Sequence, residues 1–203
     1  LIKAICFDLD GVFFTKESFN IFKDEIAELT EFPDLIDGVF HGPEMNDFKL
    51  NKLTENEYLN YVRNSLKISL TNEEISEILG NSYSIDHDVL DYILKIKDSG
   101  YKTCLCSNNF VTRITALEKS FGFLKYFDIK IFSCDAEFLK PDIRIFQTLV
   151  EQSRVDVSEI VYSDDDEIKL AGAKELGINT FVFENFRQFR YELELLGVRI
   201  LRD

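Results

Sequence analysis

The hydrophobic period of this chain changes twice, and that limits the folds open to it. Residues 3–8 form a short apolar run ending in acid, which reads as a buried strand. From about Thr15 to Ser84 the pattern is helical only. Phe19, Phe22, Ile26 and Leu29 recur at three- and four-residue steps. Thr54 with Glu57, and Thr71 with Glu74, have capping-box spacing. Pro33, Gly38, Gly42, Pro43 and Gly80 punctuate the helices. From about Ile85 strands and helices alternate. Val89, Leu90, Ile93 and Ile96 mark a helix that stops at Gly100. Strands are expected over 101–106, 127–133, 160–163 and 180–183, and helices over 112–121, 143–150 and 168–176. Phe189, Leu193 and Leu196 mark a terminal helix.

Alternating units of this length imply a parallel sheet covered by helices. The first strand is short, buried and apolar, so it belongs to the same sheet. The helical stretch between is far too long for a plain loop. The expected fold is therefore α/β: a Rossmann-like parallel sheet flanked by helices, with an inserted all-helical cap domain. The expected boundaries are 1–14 and 85–203 for the core and 15–84 for the cap.

The net charge of −14 argues against nucleic acid or an anionic membrane as partner, since both select basic surface. No apolar run approaches the ~20 residues of a membrane span. The first residues lack the basic and apolar regions of a secretion signal, so a cytoplasmic protein is expected. Cys6, Cys104, Cys106 and Cys134 lie in apolar, β-branched surroundings and read as buried free thiols. On a strand, Cys104 and Cys106 face the same side.

In open parallel α/β sheets the ligand crevice lies outside the carboxyl ends of the strands. The first strand is followed by Asp8-Leu9-Asp10-Gly11-Val12, and the second by Ser107-Asn108-Asn109. After the third, beyond a short linker, comes Lys140-Pro141-Asp142, and after the fourth comes Asp164-Asp165-Asp166. Each cluster alone has an ordinary reading as a turn, a helix cap or a solvated helix start. Together they place acids, a hydroxyl with amides, and a lysine at one crevice. So many carboxylates repel one another unless a hard cation joins them. Mg²⁺ suits oxygen ligands and commonly shares its shell with a substrate phosphate. Ser107, Asn108 and backbone N–H groups could hold phosphate oxygens, with Lys140 offsetting charge. His41 and His87 sit at none of these strand ends, which disfavours a serine–histidine nucleophile. The phosphate loop ending in Gly-Lys-Ser or Gly-Lys-Thr is absent.

Those four clusters, in that order and at that spacing, resemble the motifs of the haloacid dehalogenase (HAD) superfamily over nearly the whole core, with Ala173 and Gly177 in the helix behind the fourth. The resemblance implies a phosphotransferase, because Asp10 stands where true dehalogenases differ. It implies Asp8 as nucleophile and Asp10 as general acid and base. It implies Mg²⁺ held by Asp8, the Asp10 carbonyl, Asp165 and, directly or through water, Asp164. Ser107, Asn108 and Lys140 would stabilise the phosphoryl charge. The helical insertion resembles the first cap class of that superfamily. Its layout is similar to bacterial sugar-phosphate phosphatases and to the N-terminal phosphatase domain of soluble epoxide hydrolase. Two positions depart from the family pattern: Lys169 stands where an asparagine is common, and Asp166 where serine or asparagine is usual.

The expected activity is a Mg²⁺-dependent phosphomonoesterase acting on a small phosphorylated metabolite, a sugar phosphate in particular, through an aspartyl-phosphate. The expected assembly is a monomer or homodimer. A phosphosugar mutase on the same core is one alternative, and a catalytically silent HAD-fold binding protein another. Phe13, Phe14, Thr15, His41, Glu44 and Asn46 are candidates to face the site from the cap side, each with a structural role as the simpler reading.

Overall fold

The computed structural model describes residues 1–200. Residues 201–203, the end of the expected core segment, lie outside the described residues. Five parallel strands form one sheet: β1 (Ala4–Phe7), β2 (Lys102–Ser107), β3 (Ile129–Phe132), β4 (Ile160–Asp164) and β5 (Asn179–Val182), in the order β3-β2-β1-β4-β5. The order reverses at β1, which pairs with β2 on one side and β4 on the other, so the crevice belongs beyond the carboxyl end of β1.

The strands are buried on both faces, and the period of two separates the faces. Ile5, Phe7, Leu105 and Val161 join one apolar cluster, while Ala4, Cys6, Cys104, Cys106, Ile160 and Tyr162 join the other. Helices α6 (His87–Asp98), α7 (Val111–Phe121) and α11 (Phe186–Leu195) supply residues to the first. Helices α9 (Ile143–Ser153) and α10 (Ala171–Leu176) supply the second. All four cysteines are free and buried, and burial holds the Cys104 and Cys106 thiols at about 12, far from thiolate chemistry.

The inserted cap is helical throughout: α1 (Ser18–Ala27), α2 (Ile36–His41), α3 (Pro43–Lys49), α4 (Glu55–Leu66) and α5 (Asn72–Ser82). Both expected capping boxes form. Glu57 N–H donates to Thr54 Oγ1 while Glu57 Oε2 accepts from Thr54 N–H at 2.8 Å, and Thr71 with Glu74 repeats the exchange at 3.1 and 2.7 Å. Leu29 departs from its expected row: it lies beyond the end of α1 and is exposed.

Two connections join cap and core side by side. Phe14 bridges Ile85, Thr15 N–H donates to Ser84 O at 2.9 Å, and Asp86 N–H donates to Phe13 O at 2.9 Å. The apolar cluster continues across this crossing, from Phe7 and Phe13 to Phe22, Phe40 and Phe48. Helix α5 lies on α7 so closely that a Cβ on Gly80 would strike Ser120 Oγ. The strand expected over 127–133 is shorter than predicted: it starts only at Ile129, after a 3-10 turn at Phe123–Tyr126, and ends at Phe132, where residues Ser133–Ala136 turn into a short helix, α8. The helix expected over 168–176 begins with a 3-10 turn at Glu167–Leu170 before α10.

Candidate active site

Asp8 follows β1 directly, with its N–H donating to Ser163 O at 3.1 Å, and is 2% exposed. The chain then turns sharply. Gly11 has φ +74°, and a Cβ there would lie 2.6 Å from Asp165 Oδ2, so only glycine lets this loop approach the Asp165 carboxylate. The crevice end of β4 brings Asp164 beside Asp8.

Lys140 lies between these two acids, its side chain 0% exposed. Its ammonium is 2.8 Å from Asp8 Oδ1 and 2.6 Å from Asp164 Oδ2. It also donates to Cys106 O at 3.0 Å and to the Tyr162 hydroxyl at 2.7 Å. The approach to Asp8 is an ion pair off the line of a well-directed hydrogen bond, and Asp8 Oδ1 has no other polar partner. The Tyr162 hydroxyl hydrogen-bonds the same Asp164 oxygen. Asp164 Oδ1 accepts from Asp166 N–H at 3.0 Å.

The charges follow from this packing. Burial first, then the Asp164 charge, push Asp8 up to about 6, against the pull of Lys140. Burial also works against ionised Asp164, but Lys140 and then Lys169 outweigh it and hold that carboxyl below its ordinary value. Burial disfavours the Lys140 ammonium, yet Asp8 and Asp164 keep it firmly charged. The atypical Lys169 thus reaches the acids: its ammonium is 3.8 Å from Asp164 Oδ1.

The other expected residues converge on the same crevice. Ser107 ends β2 and is buried. The Asn108 side chain grips the Lys140 backbone, accepting from its N–H at 2.7 Å and donating to its carbonyl at 3.1 Å. It therefore sets the lysine loop. Asp165 Oδ2 lies 3.3 Å from the exposed Lys16 ammonium. Asp10 is 36% exposed, with Oδ1 buried and unpaired.

Oxygen atoms of Asp8, Asp164 and Asp165 all lie within 4.8 Å of one another. An all-carboxylate set of this size, without His or Cys, fits a hard divalent cation.

Phe13 and Phe14 are buried and packed edge to face at 5.0 Å in the aromatic core. Three residues near the acids escaped the sequence reading. Tyr162 reads as an ordinary core-strand residue, and only its partners reveal the role of its hydroxyl. Arg113 sits on α7, where a basic residue reads as surface, yet its guanidinium is buried 3.0 Å from Asp10 Oδ2. Lys49 ends α3, and burial together with the Arg113 charge lowers its ammonium to about 8.

Residues 2–177 match the model of a hydrolase family, haloacid dehalogenase-like hydrolase. Among curated relatives, the chain is similar to the D-ribitol-5-phosphate phosphatase of Bacteroides thetaiotaomicron, at 26% identity over 97% of this chain and 98% of that protein. It is also similar to mouse bifunctional epoxide hydrolase 2, at 24% identity over 95% of this chain but 38% of that protein's length. Among solved structures, a HAD family enzyme of B. thetaiotaomicron in complex with magnesium and inorganic phosphate superposes with a TM-score of 0.73. That match has 24% identity and covers 93% of this chain and 99% of the other. The L-2-haloacid dehalogenase of Xanthobacter autotrophicus, with a TM-score of 0.66 and 17% identity, covers 100% of this chain and 85% of its own and shares the fold. The family match spans most of the chain and takes in all four strand-end clusters, so this protein belongs to the haloacid dehalogenase-like hydrolases.

Proposed function

We propose that this chain is a Mg²⁺-dependent phosphomonoesterase that uses Asp8 as nucleophile. The observation that carries the reading is the buried Asp8–Lys140–Asp164 arrangement, with ammonium-to-carboxylate distances of 2.8 and 2.6 Å, beside the Asp165 carboxylate. Asp8, Asp164, Asp165 and the Asp10 carbonyl are the groups that would hold the cation. A bound Mg²⁺ supplies positive charge that offsets the carboxylates and the phosphoryl oxygens.

The chain's own residues account for the rest. Lys140 holds the Asp8 carboxylate at the crevice floor and opposes the burial and the Asp164 charge that favour its protonation. An Asp8 oxygen attacks phosphorus; the new O–P bond forms as the ester P–O bond breaks. The electron pair goes to the leaving oxygen, which takes a proton from Asp10. Asp10, now a carboxylate, removes a proton from the water that attacks the aspartyl-phosphate, and inorganic phosphate departs. Ser107 and backbone N–H groups at the end of β2 receive the phosphoryl oxygens, together with Lys140.

The substrate we favour is a small sugar or polyol phosphate. Its support is the similarity, along nearly the full length of both chains, to a D-ribitol-5-phosphate phosphatase. We read the cap as residues 15–84, a reading supported by the paired crossing at Phe14 and Ile85, and its Lys49 feels the charges of Arg113, Asp10 and Asp8 at the crevice. The test is phosphate release from a panel of sugar, polyol and nucleoside monophosphates, with Mg²⁺ and with chelator. Release that requires Mg²⁺ and ranks polyol or sugar phosphates first supports the reading. No release from any member contradicts it.

A further inference from the structure

Asp10 lies on a loop with a side chain more than a third exposed, so its own backbone does not fix where its carboxylate points. Arg113 does. Its Nη1 is 3.0 Å from Asp10 Oδ2 and 3.0 Å from the Tyr83 hydroxyl. Nε donates to Asn109 Oδ1 at 2.6 Å, and Nη2 to Asn108 O at 3.2 Å. The guanidinium carbon lies over the rings of Phe110, 4.9 Å from its centroid, and Phe19, 5.2 Å from its centroid. All three nitrogens are thus used, and two aromatic rings pack against the group. The planar fork has one orientation left to it.

The origin of these contacts matters more than their number. Asn108, Asn109 and Phe110 follow β2 in the core. Phe19 lies on α1 and Tyr83 follows α5, both in the cap segment. Asp10 belongs to the loop after β1. The Arg113 guanidinium is therefore the point at which core, cap and the Asp10 loop meet. Taking a guanidinium out of water only to fill space would be costly, and an apolar side chain would do it better.

We infer that Arg113 is a positioning residue: it anchors Asp10 by Oδ2 and so fixes where this carboxyl group sits for proton transfer, and does so fully only with the cap segment seated against it. Arg113 touches neither phosphorus nor the leaving oxygen; it acts through Asp10. The inference rests on Asp10 serving as the acid in the proposed phosphoryl transfer. An alkyl phosphate needs that proton on its leaving oxygen. A p-nitrophenyl phosphate does not, because p-nitrophenolate leaves unprotonated.

The experiment compares kcat/KM for an alkyl phosphate and for p-nitrophenyl phosphate across Arg113→Met, Arg113→Lys, Tyr83→Phe and Asp10→Asn, all in the full chain with Mg²⁺. Asp10→Asn should depress the alkyl substrate by about a hundredfold or more relative to the aryl one. Arg113→Met should lower the same ratio about tenfold or more. Arg113→Lys should fail to restore it, since an ammonium lacks the fork. Tyr83→Phe keeps every charge and removes one hydroxyl that meets both Arg113 and Asp10, so it tests the held carboxylate even if the arginine variants fold poorly; its ratio should fall roughly two- to fivefold. An unchanged ratio in Tyr83→Phe and in any folded Arg113 variant, beside a depressed ratio in Asp10→Asn, overturns the role of Arg113 alone. An unchanged ratio in Asp10→Asn overturns the acid role of Asp10 itself.

Discussion

Removing the Lys140 ammonium should unmake the centre of the site in a pH-dependent way. In Lys140→Met the methylene stem is largely retained, but the two carboxylates at 2.8 and 2.6 Å lose their shared cation. Deleting one partner of a buried ion pair costs ~3–5 kcal/mol, chiefly because charge is left uncompensated. The cost depends on protonation. In the wild type, burial and Asp164 raise Asp8 from 3.8 to about 6, so folding already favours its protonated form. That contribution is fully present below 3.8 and is lost as pH rises through about 6. Without Lys140 only the lesser pull of Lys169 opposes these influences, and the Asp8 carboxyl binds its proton more tightly still. Each tenfold gain in proton affinity is worth ~1.4 kcal/mol. The destabilisation should therefore be modest near about pH 5 and grow by about 1–3 kcal/mol by about pH 8. Lys140 itself stays charged throughout that window, because its own proton affinity is raised. The assay is urea unfolding of both proteins in chelator at the two pH values, reading midpoint and slope. Equal losses at both values, or a loss below about 1 kcal/mol at the higher one, would refute the buried-charge account.

Two further outcomes follow from the geometry. Gly11→Ala should fold with a loss of about 1–2 kcal/mol from its φ of +74° and push the Asp165 carboxylate away, weakening Mg²⁺ binding at least tenfold by calorimetric titration. Unchanged Mg²⁺ affinity would show that the close approach at Gly11 is irrelevant to the cation. Lys49 loses its proton near 8, so KM for a phosphomonoester should climb as pH passes from 7 to 9. In Lys49→Met, KM should be raised about tenfold at neutral pH and flat over that range, with kcat little changed. A wild-type pH profile retained in the variant would exclude Lys49 from substrate binding.

Much of this architecture is legible in the sequence, for a physical reason. A strand buried on both faces is a short apolar run, and a crevice at its carboxyl end must begin where that run meets polar residues. Asp8, Ser107, Asn108, Lys140, Asp164 and Asp165 are found that way because each lies at or shortly after a strand end. The capping boxes at Thr54 and Thr71 are local in sequence and equally readable. What escapes is what depends on packing between distant segments. Tyr162 alternates correctly for a core strand, and nothing nearby in sequence reveals that its hydroxyl meets Lys140 and Asp164. Arg113 reads as the solvent side of α7 until α1 and α5 close over it. Lys49 acquires its environment only when α3 docks beside Arg113. Leu29 keeps the helical spacing of Phe19, Phe22 and Ile26, but α1 ends two residues before it.

In the proposed reaction the phosphoryl group passes through Asp8. Rapid quench of the wild-type protein with a ³²P-labelled phosphomonoester and Mg²⁺, followed by proteolysis, tests it most directly. The expected result is an acid-stable, hydroxylamine-labile label on the peptide containing Asp8, with both label and turnover lost in a folded Asp8→Asn variant. Steady phosphate release with no label on that peptide, and turnover near wild type in Asp8→Asn, would contradict it.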